Sequence, residues 1–251
     1  MARTAFITGA SSGIGAEVAR RFLADGYRVA GFDLKAGGDG NCTRLYQGDV
    51  TSPADVKAAV DAFVAEHGPL YCVVPCAGIV LRGLMGDIPG KVTGLGAPIP
   101  PMSAADADRV MDINVKGTMN VCRETIPHIA PGGSIVLFSS TSSPRPTMGL
   151  SVYAASKGAI DALTRALAVE LAPEIRVNAV LPGLVETPIW TTAGVSEADW
   201  ERMKALVTNA SLLRRNGQPS DIADAVAFLA SDQAAWMTGV LMEVNGGTHL
   251  K

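Results

Sequence analysis

Metal-binding residues are scarce in this chain. The three histidines, at 67, 128 and 249, stand far apart, and Cys42, Cys72, Cys76 and Cys122 form no C-x-x-C pair. Neither set has ligand spacing, so no metal site is expected. Three of the cysteines fall in or beside strand and helix patterns, which reads as reduced thiols rather than a disulfide framework. An excess of one charge is also lacking. Twenty-one Lys and Arg against 24 Asp and Glu leave a net −3, which argues against nucleic acid or an anionic membrane as partner. No apolar run reaches the length of a membrane span. The opening Met1-Ala-Arg-Thr-Ala-Phe-Ile-Thr8 enters a strand pattern without a signal-peptide layout, so a cytoplasmic location is expected. Internal repeats and low-complexity tails are absent.

Glycine and apolar residues are abundant: 251 residues, 48% hydrophobic, with 27 glycines. That suits one α/β domain over 1–251 with a buried parallel sheet and tight turns. Residues 3–8 read as a first strand, followed by Thr8-Gly-Ala-Ser-Ser-Gly-Ile-Gly15 and an amphipathic helix to about Leu23. Strand, glycine turn and helix start together form a phosphate site, because free backbone N–H groups and the positive helix end face the anion. Gly9, Gly13 and Gly15 let the chain approach a pyrophosphate, and Ser11, Ser12 and Ile14 flank it. The next strand, Arg28–Asp33, ends in an acid 24 positions past Gly9. A carboxylate there accepts hydrogen bonds from an adenosine ribose and repels a 2′-phosphate, favouring NAD over NADP; Lys35 partly offsets the repulsion. Leu34 is grouped with Asp33 in the same contact.

A glycine-rich crossover, Gly37-Gly38-Asp39-Gly40, leads to a brief strand ending Gln47-Gly-Asp49-Val50. Ser52-Pro53 opens a helix to about His67. Leu70–Pro75 is the fourth strand, followed by Cys76-Ala77-Gly78. From Ile79 to Pro101 runs a Gly/Pro-rich excursion, long for a βα connection. One long helix is expected from Ser103 to Ile129, a turn at Gly132-Gly133, and a fifth strand over Ser134–Ser140. A helix to about Leu171 and a strand over Arg176–Leu181 follow. Residues 184–216 read as irregular with one short helix near 197–207, placed to close over substrate as a lid. A helix near Ser220–Ala230 and a strand over Val240–Val244 end the alternation. Strands alternating with helices and no linker mean one doubly wound parallel sheet of about seven strands.

Ser151-Val-Tyr-Ala-Ala-Ser-Lys157 carries the chemistry. Tyr153 and Lys157 lie one helical turn apart on one face. A phenol titrates near ~10, and a neighbouring ammonium is expected to pull that value down, letting Tyr153 exchange a proton with an alcohol or ketone.

Taken together, these motifs resemble the classical short-chain dehydrogenases/reductases over nearly the whole chain. The carriers are the glycine turn, Asp49-Val50, Ala77-Gly78, Asn114-Val-Lys-Gly117, Ser140, Tyr153 with Lys157, Pro182-Gly183 and Asn245-Gly-Gly. The resemblance implies a catalytic tetrad. Tyr153 is its acid/base, Lys157 lowers the Tyr153 pKa and binds the nicotinamide ribose, Ser140 (rather than Ser139) holds the substrate oxygen, and Asn114 supports a proton-relaying water. It also implies that Asp49 and Val50 contact adenine, that Pro182, Gly183, Val185 and Thr187 lie along the nicotinamide, and that the chain is a homotetramer or dimer. The implied reaction interconverts a secondary alcohol and its ketone, with a 3-hydroxyacyl thioester as the alternative substrate. Two departures stand out. Pro75-Cys76 replaces the family's Asn-Asn, which puts packing beside the cofactor in doubt, and the 79–101 excursion is about ten residues longer than usual.

Two rival readings fare worse. Gly9-Ala-Ser11-Ser-Gly13 satisfies the G-x-S-x-G pattern of a serine hydrolase, with His249 completing the order, but it follows the first strand and no oxyanion segment precedes it. A non-catalytic NAD-binding module would leave the tetrad free to drift, and all four positions are filled.

Overall fold

Thr4–Thr8 is buried along its whole length and forms β1, the strand on which the sheet is centred. In the computed structural model, which describes residues 2–35, 40–92 and 99–250, its side chains alternate between two cores. Phe6 points into one with Phe63, Val121 and Ile160. Ala5 and Ile7 point into the other with Val18, Phe22 and Ile222. Burial on both faces explains why the strands read as continuous apolar runs.

Around β1 stand β2 (Arg28–Asp33), β3 (Arg44–Gln47), β4 (Leu70–Pro75), β5 (Ile129–Phe138), β6 (Arg176–Pro182) and β7 (Leu241–Val244). All pair in parallel in the order β3-β2-β1-β4-β5-β6-β7. Helices α1 (Gly13–Ala24) and α8 (Pro219–Ala230) cover one face. Helices α2 (Pro53–His67), α4 (Thr118–Thr125) and α5 (Ser151–Leu171) cover the other. The remaining helices are α3 (Ala104–Met111), α6 (Ile189–Thr192) and α7 (Glu197–Ala210). The strand order reverses between β1 and β4, and doubly wound sheets open a ligand crevice at the carboxyl ends of strands flanking such a reversal.

Several expectations need correction. The single helix over Ser103–Ile129 is broken: Asp112–Gly117 winds as a π-helix between α3 and α4, and Ile126–His128 ends in a 3₁₀ turn. Packing against Val50 accounts for it, since a Cβ on Gly117 would lie 2.7 Å from Val50 Cγ2 and Asn120 Nδ2 donates to Val50 O at 3.0 Å. Strand β5 begins at Ile129, so Gly132-Gly133 lies within it, where its pairing with β4 shifts register between Leu70 and Cys72. The 184–216 segment holds two helices, α6 and α7, not one. The crossover at 37–39 and the middle of the excursion, 93–98, lie outside the described residues.

All four cysteines are free. Burial pushes Cys42 to about 11 and Cys72, Cys76 and Cys122 to about 12. Among the described residues no cluster of His, Cys, Asp or Glu is arranged for a metal, and no helix is long and apolar enough to cross a membrane.

Candidate active site

At the carboxyl ends of β1, β2 and β4–β6 opens a cleft of about 1350 Å³, more than a drug-sized ligand needs. The glycine turn forms one end. Gly9 and Gly13 adopt φ of +70° and +55°, a Cβ on Gly9 would come 3.0 Å from the Ala77 backbone, and one on Gly15 would come 2.1 Å from Gly9 O. Helix α1 starts at Gly13 with no side-chain cap and no acid in its first turn. Its first amides are therefore free for an anion. This is the fit a dinucleotide pyrophosphate requires.

Asp33 stands beside the turn, its carboxylate oriented by Ser11 N at 3.0 Å and Lys35 N at 3.1 Å. Asp33, Leu34, Lys35, Asp49 and Val50 line the cleft together with Ser12, Gly13, Ile14 and Gly15. Ser11 does not line it; its hydroxyl turns to Lys35 O at 3.5 Å. Asp49 Oδ1 accepts from Thr51 N at 2.8 Å, and the Val50 carbonyl is engaged by Asn120. Pro75-Cys76 does not disturb this end. Pro75 pairs only with Thr8 of β1, beyond the last rung to β5, so its missing N–H removes no bond there. Ala77 N donates to Thr8 Oγ1 at 3.1 Å and keeps Ala77-Gly78 against the turn.

Toward the other end, the first turns of α5 present Tyr153 and Lys157. Ser139 and Ser140 end the run after β5, and they part ways. Ser139 Oγ donates to Lys157 O at 3.1 Å, whereas Ser140 Oγ accepts from Ser142 N at 3.1 Å inside the cleft. Lys157 Nζ donates to Phe138 O at 2.8 Å and lies 5.6 Å from the Tyr153 ring centroid. The expected lowering of the Tyr153 pKa is not found here. Burial pushes the phenol up to about 12, partly offset by Ser140, and burial brings the Lys157 ammonium down to about 8. The reason is that desolvation disfavours each charged form and the ammonium is spent on a carbonyl.

Asn114, 1% exposed, sits in the π-helix behind the cleft wall. Its Oδ1 accepts from Ile79 N at 2.8 Å, and its Nδ2 donates to Ile79 O at 3.0 Å and Ser156 Oγ at 3.1 Å. Ser156 in turn donates to Tyr153 O at 2.7 Å. Asn114 thus ties the loop after β4 to the turn carrying Tyr153. Two partners escaped the sequence reading. Ser143 donates to Asp161 Oδ2, fastening the Ser140–Ser143 turn to α5, and Arg145 pairs with Glu243. Helical spacing alone offered a hint for Asp161, one turn past Lys157.

Pro182, Gly183, Val185 and Thr187 line the cleft where β6 ends. The segment beyond is closed at its neck: Glu186 N donates to Gly217 O and Gly217 N to Leu184 O, both at 3.0 Å. Within it Trp190 stacks on Trp200 at 6.1 Å, and Trp190, Met203 and Leu206 face the cleft.

The family model described as enoyl-(acyl carrier protein) reductase matches residues 9–249. A putative ketoacyl reductase of granaticin polyketide synthesis from Streptomyces violaceoruber is 36% identical, over 99% of this chain and 97% of its own. The 4-formylbenzenesulfonate dehydrogenase of Comamonas testosteroni is 35% identical, over 99% and 98%. Among solved structures, the Thermoplasma acidophilum aldohexose dehydrogenase superposes with a TM-score of 0.87 at 31% identity, covering 100% of this chain and 95% of that one. A Brucella melitensis 3-ketoacyl-(acyl-carrier-protein) reductase in complex with NADH gives 0.83 at 32%, covering 98% of each. A blue fluorescent protein from a metagenomic library, in complex with NADPH, gives 0.83 at 32%, covering 98% and 97%. The chain belongs to the short-chain dehydrogenase/reductase family, and it is an oxidoreductase that uses a nicotinamide cofactor on alcohol or ketone substrates.

Proposed function

We propose that this enzyme interconverts a secondary alcohol and its ketone with NAD preferred over NADP. The observation that carries the reading is the convergence of Tyr153, Ser140 and Lys157 on the wall of a cleft whose far end is the glycine turn. Bound along that cleft, the nicotinamide supplies hydride exchange with the substrate carbon. The chain supplies the rest. Tyr153, held protonated through neutral pH by burial, donates its proton to the carbonyl oxygen in reduction and becomes a phenolate; in alcohol oxidation that phenolate takes the hydroxyl proton. Ser140 holds that oxygen and stabilises negative charge developing on it. Lys157 carries a buried positive charge one turn away and binds the ribose, and Asn114, behind the cleft, ties the Ile79 wall to Ser156 of the Tyr153 helix.

Tyr153→Phe removes the proton donor and is expected to lower turnover by about 10²–10⁴-fold with NADH affinity within a few-fold of wild type. Retained turnover, or lost NADH binding, would reject the assignment. The Asp33 carboxylate, pre-aimed by two backbone amides, supports the NAD preference. Asp33→Ala is expected to narrow the NAD/NADP ratio of kcat/KM by about tenfold, and an unchanged ratio removes Asp33 from that role.

A 3-oxoacyl thioester remains the second reading, supported by the ketoacyl reductases among the relatives and by the long connection after β4. Segment 184–216 serves as the lid in either case. We also infer a cytoplasmic homo-oligomer. Trp236 and Val169 stand 99% and 81% exposed, surface that a second copy would cover; light scattering reads the mass directly.

A further inference from the structure

The loop after β4 is pinned beside the start of α5. Gly83 N donates to Gly149 O at 2.9 Å, Leu84 N to Pro100 O at 2.9 Å, and Met102 N to Leu84 O at 2.7 Å. A Cβ on Gly83 would come 2.7 Å from Met102 Cα, so the strand-like passage has no slack. Gly83 faces Leu150, next to the residue that opens the Tyr153 helix. The neighbour of Gly83, Arg82, is therefore held at the end of the cleft where Tyr153 stands.

Arg82 is half-buried and lines the cleft, and among the described residues its guanidinium has no hydrogen bond or ion pair. The stretch at 93–98, Thr-Gly-Leu-Gly-Ala-Pro, contains no acid that could serve. The other cations along the cleft differ. Arg145 is paired with Glu243 and Lys157 with the Phe138 carbonyl, while Lys35 and Arg109 stand exposed to water. The cleft lining beside Arg82 in the chain includes Val80, and Gly83 next to it bridges to Leu150, which also lines the cleft. A guanidinium drawn partly out of water with no counter-charge is unfavourable unless a ligand provides one. Its planar fork matches two oxygens of an anion.

We infer that the substrate carries a carboxylate or sulfonate, which Arg82 binds at the end of the molecule remote from the reacting carbon; this rests on the oxidoreductase reading of the same cleft. The test uses three ketones with one skeleton: 4-acetylbenzoate, 4-acetylbenzenesulfonate and the neutral methyl 4-acetylbenzoate. Binding to the NADH-loaded enzyme is measured by calorimetry and reduction by loss of NADH absorbance. At least one anion is expected to bind tenfold or more tighter than the ester. Arg82→Ala should abolish that gap by weakening the anion alone, Arg82→Lys should keep part of it, and Arg82→Glu should favour the ester. Preference for one anion over the other names the group. Equal binding of all three by the wild type, or an equal loss for ester and anion in Arg82→Ala, overturns the inference. Selective anion binding that depends on Arg82, without reduction of any of the three, leaves the anion site standing and counts against the ketone chemistry proposed for Tyr153.

Discussion

At the glycine-turn end of the cleft, a Cβ on Gly15 would sit 2.1 Å from a backbone oxygen, and the Asp33 carboxylate is aimed by two main-chain amides. At the opposite end, α7 buries none of its residues, and Met148 and Leu206 face the cleft while 49% and 54% exposed. Backbone defines the first end and side chains define the second. The difference separates what every bound dinucleotide needs from what one substrate needs. Main-chain geometry tolerates almost no substitution, whereas an exposed wall of side chains can change without refolding the sheet.

The sharpest way to break this contrast is a paired substitution. Gly15→Ala forces the turn off Gly9 and is expected to destabilise by about 1–3 kcal/mol, with NADH affinity falling more than tenfold. Leu206→Ala should leave NADH affinity unchanged and stability within about 0.5 kcal/mol. Thermal midpoints and NADH fluorescence titrations measure both, and equal damage from the two would erase the distinction.

The centre of the cleft answers to pH. Lys157 is an ammonium below about 8 and neutral above, so kcat/KM for ketone reduction is expected to stay flat up to about pH 8 and then fall, approaching tenfold per unit. Stability moves the other way for this group. Its folded pKa lies below the unfolded value of 10.5, so between about 8 and 10.5 the unfolded chain holds more protons and folding gains as pH rises. A reduction profile without a fall near 8 would remove Lys157 from the reaction.

The smallest effect is expected at Asp161, which is 9% exposed and acts through Ser143. Asp161→Ala frees the Ser140–Ser143 turn and should lower kcat severalfold while the KM for NADH holds. Asp161→Asn keeps an acceptor for Ser143 and should recover most of kcat. It also removes an anion that raises the Lys157 pKa, so the fall near pH 8 should move lower. A purely structural Asp161 would leave that profile in place.

The legibility of the molecule divides along the same line. The centre of the sheet could be read because its strands are buried on both faces and bounded by glycine or proline, as at Leu70–Pro75 and Arg176–Pro182. The glycine turn and the Tyr153–Lys157 pair depend on local spacing, and local spacing is what a sequence displays. The π-helix at Asp112–Gly117 was invisible because one widened turn leaves apolar periodicity nearly intact, and its cause, contact with Val50, is tertiary. The direction of the Tyr153 shift was misjudged for a related reason. Helical spacing places an ammonium nearby, yet only the folded chain shows it turned toward Phe138. Arg145 with Glu243, and Ser143 with Asp161, join residues that no periodicity links.

The neck that joins Leu184 and Glu186 to Gly217 fastens both ends of the intervening segment beside β6, and Leu212 N and Leu213 N anchor it again on Gly246 O after β7, at 3.0 and 3.3 Å. A stretch tethered this way behaves as a replaceable cassette. Transplanting the corresponding piece from a relative, with the Ser211–Leu213 anchor on Gly246 kept, should carry that relative's appetite for ligands with it.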